Sequence, residues 1–137
     1  MRQAKYIGIT FIELLITMAI ISIIALIATN LFSSYVLKGR RIDAIDAILS
    51  ISLAEERYRT NNAQYGTLAQ VWGGVTTSPE GYYTLNITNT SATSYTITAT
   101  AQGNQANDAV DGTSCTSLIL TVSNGTITKS PAVCWPT

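Results

Sequence analysis

Histidine is absent from this sequence, and charged residues are scarce. The 137 residues include 8 basic and 8 acidic side chains, so the formal net charge is +0 and only 12% of the residues are charged. Such a chain lacks the basic surface that generic nucleic-acid binding requires. It also lacks paired carboxylates placed for acid–base catalysis and any nucleophile motif. We therefore expect neither an enzyme nor a cofactor, and we do not expect nucleic acid as a partner.

Cysteine is nearly absent too. The only two cysteines, Cys115 and Cys134, both lie in the polar C-terminal half of the chain. An even pair beyond an apolar segment suggests an exported and oxidised domain. A disulfide closing a loop of about 20 residues would stabilise a small domain by about 3 kcal/mol. Asp108 and Asp111 lack the alternating oxygen ligands of a calcium loop, so we predict a polar turn there and no metal site.

Hydrophobic residues are concentrated in one run, from Ile9 to Leu31. The run has the length of about 20 residues that an α-helix needs to cross a bilayer. Arg2 and Lys5 precede it and would hold this end on the cytoplasmic side. A secretory signal is cut after its apolar region, but no Ala-x-Ala site follows this run, which argues against an ordinary signal peptide.

Glu13 separates this run from a simple membrane anchor. A carboxylate placed in lipid costs on the order of 2.5 kcal/mol or more, so Glu13 needs a partner or a polar depth. A new α-amine at Ile9 would supply that partner, because it would be positively charged near neutral pH and lies one helical turn away.

The segment Gly8-Ile9-Thr10-Phe11-Ile12-Glu13-Leu14 resembles the precursors of type IV pilins and pseudopilins, although Phe is more usual at the second position. The resemblance implies cleavage after Gly8 by a prepilin peptidase and N-methylation of Ile9. It makes Glu13 the carboxylate used in processing and assembly. The implied partners are other pilin subunits, the peptidase, the inner-membrane assembly platform and, before assembly, membrane lipid. The implied location is the bacterial inner membrane, in a single pass, and then the extracellular pilus.

The resemblance and the sequence pattern together predict the organisation of the chain. We expect a leader at 1–8, a helix half for the membrane or filament core at 9–31, an amphipathic helix half at 32–62, and a globular head at 63–137. Four apolar residues recur at helical spacing in the amphipathic half and should face a sheet: Ile42, Ile45, Leu49 and Leu53.

Two charged clusters lie in this amphipathic half. We interpret Lys38-Gly39-Arg40-Arg41 as a membrane-boundary cluster that contacts lipid headgroups. We interpret residues 55–59 as a solvated helix face on which Glu55 pairs with Arg59.

The head should be α+β, with the long helix packed on a four-stranded antiparallel sheet, as in the type IV pilin fold. Residues 63–80 predict a connecting loop that tucks an aromatic residue against the domain. Apolar and polar residues then alternate in two strands, 83–88 and 95–101. Asn124-Gly125 predicts a hairpin between strands 117–122 and 126–129. The resemblance identifies the last segment as a C-terminal loop closed by the disulfide.

Three segments of the soluble part look like minor pilins of the PilE type: residues 54–65, 81–83 and 134–135. We therefore predict a minor pilin of a fibre serving adhesion, twitching motility or DNA uptake. The alternatives are a major pilin and a pseudopilin of type II secretion, which more often stabilises its C-terminal region with calcium. Cleavage would remove Arg2 and Lys5 and leave a small net negative charge, which argues against a dedicated DNA receptor.

Overall fold

The structure is a computed structural model that describes residues 8–136, with side chains at all of these positions except 28–31. The predictions for Arg2 and Lys5, and for the leader up to residue 7, lie outside the described residues. The chain divides into two units, Met1–Tyr35 and Val36–Thr137. Helix α1, Phe11–Asn61, contributes to both, which confirms the predicted long N-terminal helix.

Helix α1 ends at Asn61. The Asn62 side-chain amide donates to the Tyr58 carbonyl at 2.8 Å, and Arg59 Nη1 donates to the Asn62 carbonyl at 2.7 Å. These bonds satisfy backbone carbonyls at a helix end, where the regular intrahelical partners are missing.

Four long strands form one antiparallel sheet in the head, with the spatial order β1-β2-β5-β6. They are β1, Tyr83–Thr88; β2, Ser94–Ala101; β5, Ser117–Ser123; and β6, Thr126–Ser130. The register places Tyr95 opposite Val122, and Val122 opposite Ile127. Asn124 and Gly125 both have positive φ, of 51° and 79°, as a two-residue hairpin turn requires. The four predicted strands are confirmed.

An insertion between β2 and β5 was not predicted. It contains a 3₁₀ helix at Gly103–Asn107 and a small two-stranded sheet of β3, Ala109–Val110, and β4, Thr113–Ser114. Strands of two residues are too short to give an alternating pattern. The chain then enters β5 and ends in a second 3₁₀ helix, Ala132–Cys134.

The predicted connecting loop contains a short helix, α2, Leu68–Trp72. Its start is stabilised because the backbone N–H of Thr67 donates to Gln70 Oε1 at 2.8 Å. It ends at Gly73, whose φ of 65° suits the left-handed C-cap position. Trp72 is partly buried against the core, as predicted for an aromatic residue of this segment.

The core lies between α1 and one face of the sheet, but the helix face differs from the predicted one. Ile45 is buried as expected, whereas Ile42, Leu49 and Leu53 are exposed. Five residues form the buried helix face: Ala44, Ile45, Ala47, Ile48 and Ile51. Two of these residues are alanines, which a pattern search weighted towards large apolar residues misses.

Candidate functional site

The N-terminal junction lies just ahead of α1. Gly8 and Ile9 precede the helix, and Thr10 caps it. The backbone N–H of Glu13 donates to Thr10 Oγ1 at 3.3 Å, and that of Leu14 donates to the Thr10 carbonyl at 3.2 Å. This geometry places the Glu13 carboxylate in the first helical turn, where the helix dipole favours a negative charge.

Gly8 has no steric role in the described structure. It is exposed, and a Cβ added to it would meet no heavy atom within 4 Å. Ile9 is 76% exposed. The fold therefore leaves the peptide bond between Gly8 and Ile9 accessible and does not itself require glycine there.

The apolar run behind this junction has no burial within its own unit. Every described side chain from position 8 to 27 is exposed, including Phe11 at 78% and Leu26 at 72%. The helix has the length and apolar composition needed to cross a membrane. A surface of this kind is stable only in lipid or against other apolar chains.

Arg41 is placed quite differently from the headgroup contact that we predicted for residues 38–41. It is 5% exposed and forms a bidentate ion pair with Asp108, with Nη2 2.6 Å from Oδ1 and Nε 2.7 Å from Oδ2. This hydrogen bonding raises the pKa of Arg41 above its ordinary value. The prediction for Arg41 is wrong, because its carboxylate partner lies in the insertion between β2 and β5.

Gln105 extends this buried pair into a network. Its side-chain amide donates to the Leu37 carbonyl and to the Tyr83 hydroxyl, both at 2.9 Å, and lies 3.3 Å from Asp108 Oδ2. Asp108 was predicted to lie in a polar turn, but it is 3% exposed. The turn consists instead of Asp111 and Gly112, both at positive φ.

The network also reaches the two cysteines. Cys115 and Cys134 form the predicted disulfide, with their Cα atoms 5.7 Å apart. Arg41 Nη1 donates to the Cys134 carbonyl at 3.4 Å, and the backbone N–H of Cys115 donates to the Asp108 carbonyl at 2.8 Å. The ion pair and the disulfide therefore fasten the same C-terminal segment to α1.

Glu55 is a second buried ionisable side chain, although it was predicted to lie on a solvated helix face. It is 0% exposed, and its Oε2 accepts a hydrogen bond from the backbone N–H of Gly66 at 2.8 Å. Burial raises the pKa of Glu55 above its ordinary value. A Cβ at Gly66 would lie 2.7 Å from the side chain of Val71, so this glycine permits the close approach.

The predicted pair of Glu55 with Arg59 is not formed. Arg59 donates through Nε to the Ala92 carbonyl at 3.0 Å, in the loop between β1 and β2. Residues four apart on a helix are neighbours, but both side chains have better partners in the loops of the head. The solvated interpretation holds for Glu56 and Arg57, which are exposed.

Three basic side chains stack on aromatic rings in the head. Arg40 lies 4.5 Å from the Tyr82 ring, Arg59 lies 6.0 Å from the Tyr65 ring, and Lys129 lies 5.2 Å from the Trp135 ring. Such pairs hold a cation at a defined place on the surface. Within the described residues, no group of three or more His, Cys, Asp or Glu side chains is placed to hold a metal ion.

A long helix with an unburied apolar start, packed at its other end on an antiparallel sheet with a disulfide-fastened tail, defines a pilin-like subunit. Residues 31–119 match the family model described as type IV minor pilin ComP, DNA uptake sequence receptor, and residues 4–29 match the prokaryotic N-terminal methylation motif. The first match spans more than half of the chain, so this chain belongs to the type IV minor pilin family. A comparison with curated proteins finds no match.

The family membership confirms the prediction of a minor pilin, in preference to a major pilin or a pseudopilin. It also implies assembly with other pilin subunits and processing by a prepilin peptidase. The family description names a DNA receptor, the class of protein that the charge balance disfavours.

Proposed function

We propose that this chain is the precursor of a structural subunit, cleaved after Gly8, methylated at Ile9 and then assembled into a pilus without catalysing a reaction. The observation that carries this proposal is the unburied apolar helix that begins directly behind an accessible Gly8–Ile9 bond. Before assembly the subunit would span the inner membrane once, and after assembly it would lie in the fibre. The leader would be 1–8, the lipid or filament-core segment 9–31, and the exported remainder 32–137.

Glu13 gives this assembly a means of setting register. An unpaired carboxylate is costly in lipid or in a filament core, whereas one paired with an amine is much less so. Cleavage creates that amine at Ile9, one helical turn from Glu13 in the same chain and also available from an incoming subunit. A misplaced subunit would leave two buried charges without partners, so correct register is favoured.

The mass of the chain isolated from sheared surface fibres tests the processing step. We expect a chain that has lost residues 1–8, carries one added methyl group and contains the intact disulfide. The variant Gly8→Val should keep its leader, although the open space around Gly8 leaves the fold unaffected. A cleaved Gly8→Val chain, or a fibre chain that begins elsewhere, would overturn the proposed junction.

The variant Glu13→Ala tests the assembly step separately. We expect it to be folded and oxidised in the membrane fraction but strongly depleted from sheared fibres. Its matched control is Thr17→Ala, one turn further along the same exposed segment, which should enter fibres normally. Normal incorporation of Glu13→Ala would remove the proposed role of this carboxylate.

We propose DNA as a ligand of the head, on the strength of the family description and despite the charge balance of the whole chain. The net charge of the whole chain does not describe the surface of the head well, because three ionisable side chains of the head are buried: Arg41, Glu55 and Asp108. The exposed cations are fewer but held in place, notably Lys129 above the Trp135 ring. Phosphate contacts by lysine and arginine, beside aromatic rings, are the usual means of binding nucleic acid.

Fluorescence anisotropy of labelled duplex DNA with the full mature chain in detergent micelles tests this ligand. We expect binding that weakens steeply with salt, and a smaller salt dependence for the variant Lys129→Gln by about one counterion. Gln102→Ala, a polar surface change without loss of charge, serves as the control. Absence of salt-dependent binding would reject DNA as a ligand and leave the proposed structural role untouched.

A further inference from the structure

The buried Arg41–Asp108 pair carries a large desolvation cost. The two side chains are only 6% and 2% exposed, and removing two charges from water offsets most of their mutual attraction. The adjoining Gln105 adds to this cost, because its Oε1 is buried and has no hydrogen-bond partner among the described residues. Apolar side chains of similar volume often hold such segments together equally well. A bidentate ion pair, however, fixes the orientation of both groups, so its contribution here is a defined geometry.

The geometry fixed at Arg41 includes the C-terminal segment. Its Nη1 donates to the Cys134 carbonyl at 3.4 Å, while Nε and Nη2 contact Asp108. Cys134 is the last residue of the 3₁₀ helix Ala132–Cys134, and Trp135 follows it directly. The disulfide restrains the side chain of Cys134, whereas Arg41 restrains its backbone. Arg41 therefore helps to set where the Trp135 side chain lies.

The Trp135 ring in turn supports Lys129. Trp135 is 6% exposed, and its Nε1 donates to the Ser130 carbonyl at 3.4 Å. Lys129 Nζ lies 5.2 Å from the centre of the ring. Every residue of β6, including Lys129, is exposed, so core packing does not hold the ammonium group. A cation–π contact with a fixed ring holds it instead.

We propose that Arg41 is a positioning residue for DNA binding: acting through Cys134 and Trp135, it holds the ammonium group of Lys129 where that group meets a backbone phosphate. This inference rests on the proposed function, because it takes DNA as the ligand and Lys129 as a phosphate contact. Arg41 is 5% exposed, so it acts on the ligand only through these residues. Its effect is preorganisation, since a lysine side chain already held in its bound position loses less conformational freedom on binding.

Arg41→Met combined with Asp108→Leu tests this role without changing the net charge. The full mature chain in detergent micelles is titrated with labelled duplex DNA and followed by fluorescence anisotropy. We expect the affinity of the double variant to fall about two- to tenfold at fixed salt, the range for ordering one long side chain. The slope of log affinity against log salt should stay unchanged, because the phosphate contact is still made. In Lys129→Gln that slope should instead decrease by about one counterion.

NMR of the same variants without DNA measures the position of Lys129 directly. In the original chain, the side-chain protons of Lys129 next to the Trp135 ring should show ring-current shifts, and we expect these shifts to shrink in the double variant. The matched control is Ile48→Val, at a residue that is 0% exposed on the same helix. It should leave both the shifts and the DNA affinity unchanged. A fall in affinity equal to that of the double variant would assign the effect to general loosening of the head and overturn the proposal.

Trp135→Leu tests the link between Arg41 and Lys129. This variant should bind DNA about as weakly as the double variant does. Adding it to the double variant should weaken binding no further, because the ring through which Arg41 acts is then gone. Losses of affinity that simply add would show that Arg41 and Trp135 act independently, contrary to the proposal.

Two outcomes separate this inference from the proposed function. Absence of salt-dependent DNA binding by the original chain would reject the ligand, and the inference with it. DNA binding by the original chain, with equal affinity and unchanged Lys129 shifts in the double variant, would reject the role of Arg41 alone. Arg41→Gln combined with Asp108→Asn is also neutral in net charge and keeps polar groups at both positions, so it provides the same test if the apolar pair does not fold.

Discussion

Helix α1 has two stretches that differ in which side chains are buried: the apolar stretch, in the first unit, and the head stretch, in the second unit. In the first unit, apolar side chains such as Ile20 and Ile23 are more than half exposed. In the head unit, Arg41 and Glu55 are 5% and 0% exposed, while Leu49 of the same helix remains accessible. Burial therefore follows the position of partner segments and not residue type alone.

The partners of the two stretches lie in different places. The head stretch finds its partners within the chain, in Asp108 for Arg41 and in the backbone of Gly66 for Glu55. In the apolar stretch, the described side chains from Ile9 to Ile27 are exposed, and family membership implies assembly with other pilins. The contacts of the head stretch should thus govern the stability of the head, and the exposed surface of the apolar stretch should govern association with other subunits.

Breaking the Arg41–Asp108 pair should have the largest effect on the head. The variant Arg41→Met leaves the Asp108 carboxylate buried without its counterion, so we expect a loss of about 3–5 kcal/mol in the free energy of unfolding. Urea titration of the mature chain in micelles measures it, with fluorescence of the buried Trp135 as the probe.

Two further variants show whether that loss belongs to the ion pair. Arg41→Met combined with Asp108→Leu should recover much of the stability, because no buried charge is then left alone. Lys38→Met, three positions away and exposed, should change the free energy of unfolding by about 0.5 kcal/mol or less. A loss as large for Lys38→Met would contradict the assignment of Arg41 to the core.

Matched isoleucines sharpen the comparison of the two stretches. Ile48→Ala removes a side chain that is 0% exposed in the core, so we expect a loss of about 2–5 kcal/mol in the unfolding of the head. Ile20→Ala removes one that is 52% exposed in the apolar run and should leave head unfolding unchanged, within about 0.5 kcal/mol. It should instead reduce recovery in sheared fibres. A larger loss in head unfolding for Ile20→Ala than for Ile48→Ala would refute the assignment of head stability to the head stretch.

Most of the features that could be predicted from the sequence are local, because they depend on residues that are close together in the chain. The four strands and the Asn124-Gly125 turn each depend on residues that are close together in the sequence, and all were confirmed. The junction at Gly8 and the capped turn at Glu13 are equally local, so their placement at the start of α1 followed from spacing. The roles of Gly8, Ile9 and Glu13 remain predictions.

The errors all concern contacts between distant parts of the chain. Arg41 and Asp108 are 67 positions apart, and nothing in a one-dimensional pattern joins them. Glu55 and Gly66 are only 11 apart, but their contact depends on how the loop returns to the helix. The same limit explains the exposure of Ile42, Leu49 and Leu53, because periodicity predicted one apolar helix face but could not tell which of two faces meets the sheet.

The smallest predicted effect is a dependence of head stability on pH through Glu55. Burial raises the pKa of Glu55 in the folded head above its ordinary value of 4.5. The folded state therefore binds this proton more tightly than the unfolded state does. Its contribution is favourable at pH values below the ordinary pKa and is lost as pH rises through the raised pKa.

Glu55→Gln removes this titration and keeps a neutral side chain whose carbonyl oxygen can accept the hydrogen bond from Gly66. We therefore expect the free energy of unfolding of the variant, relative to the original chain, to increase as the pH rises from below the ordinary pKa of 4.5 to above the raised pKa. Parallel urea titrations across that range measure the difference and cancel the contributions of the other carboxylates. A difference that stayed constant across that range would mean that the pKa of Glu55 is the same in the folded and unfolded states, and it would contradict the effect assigned to its burial.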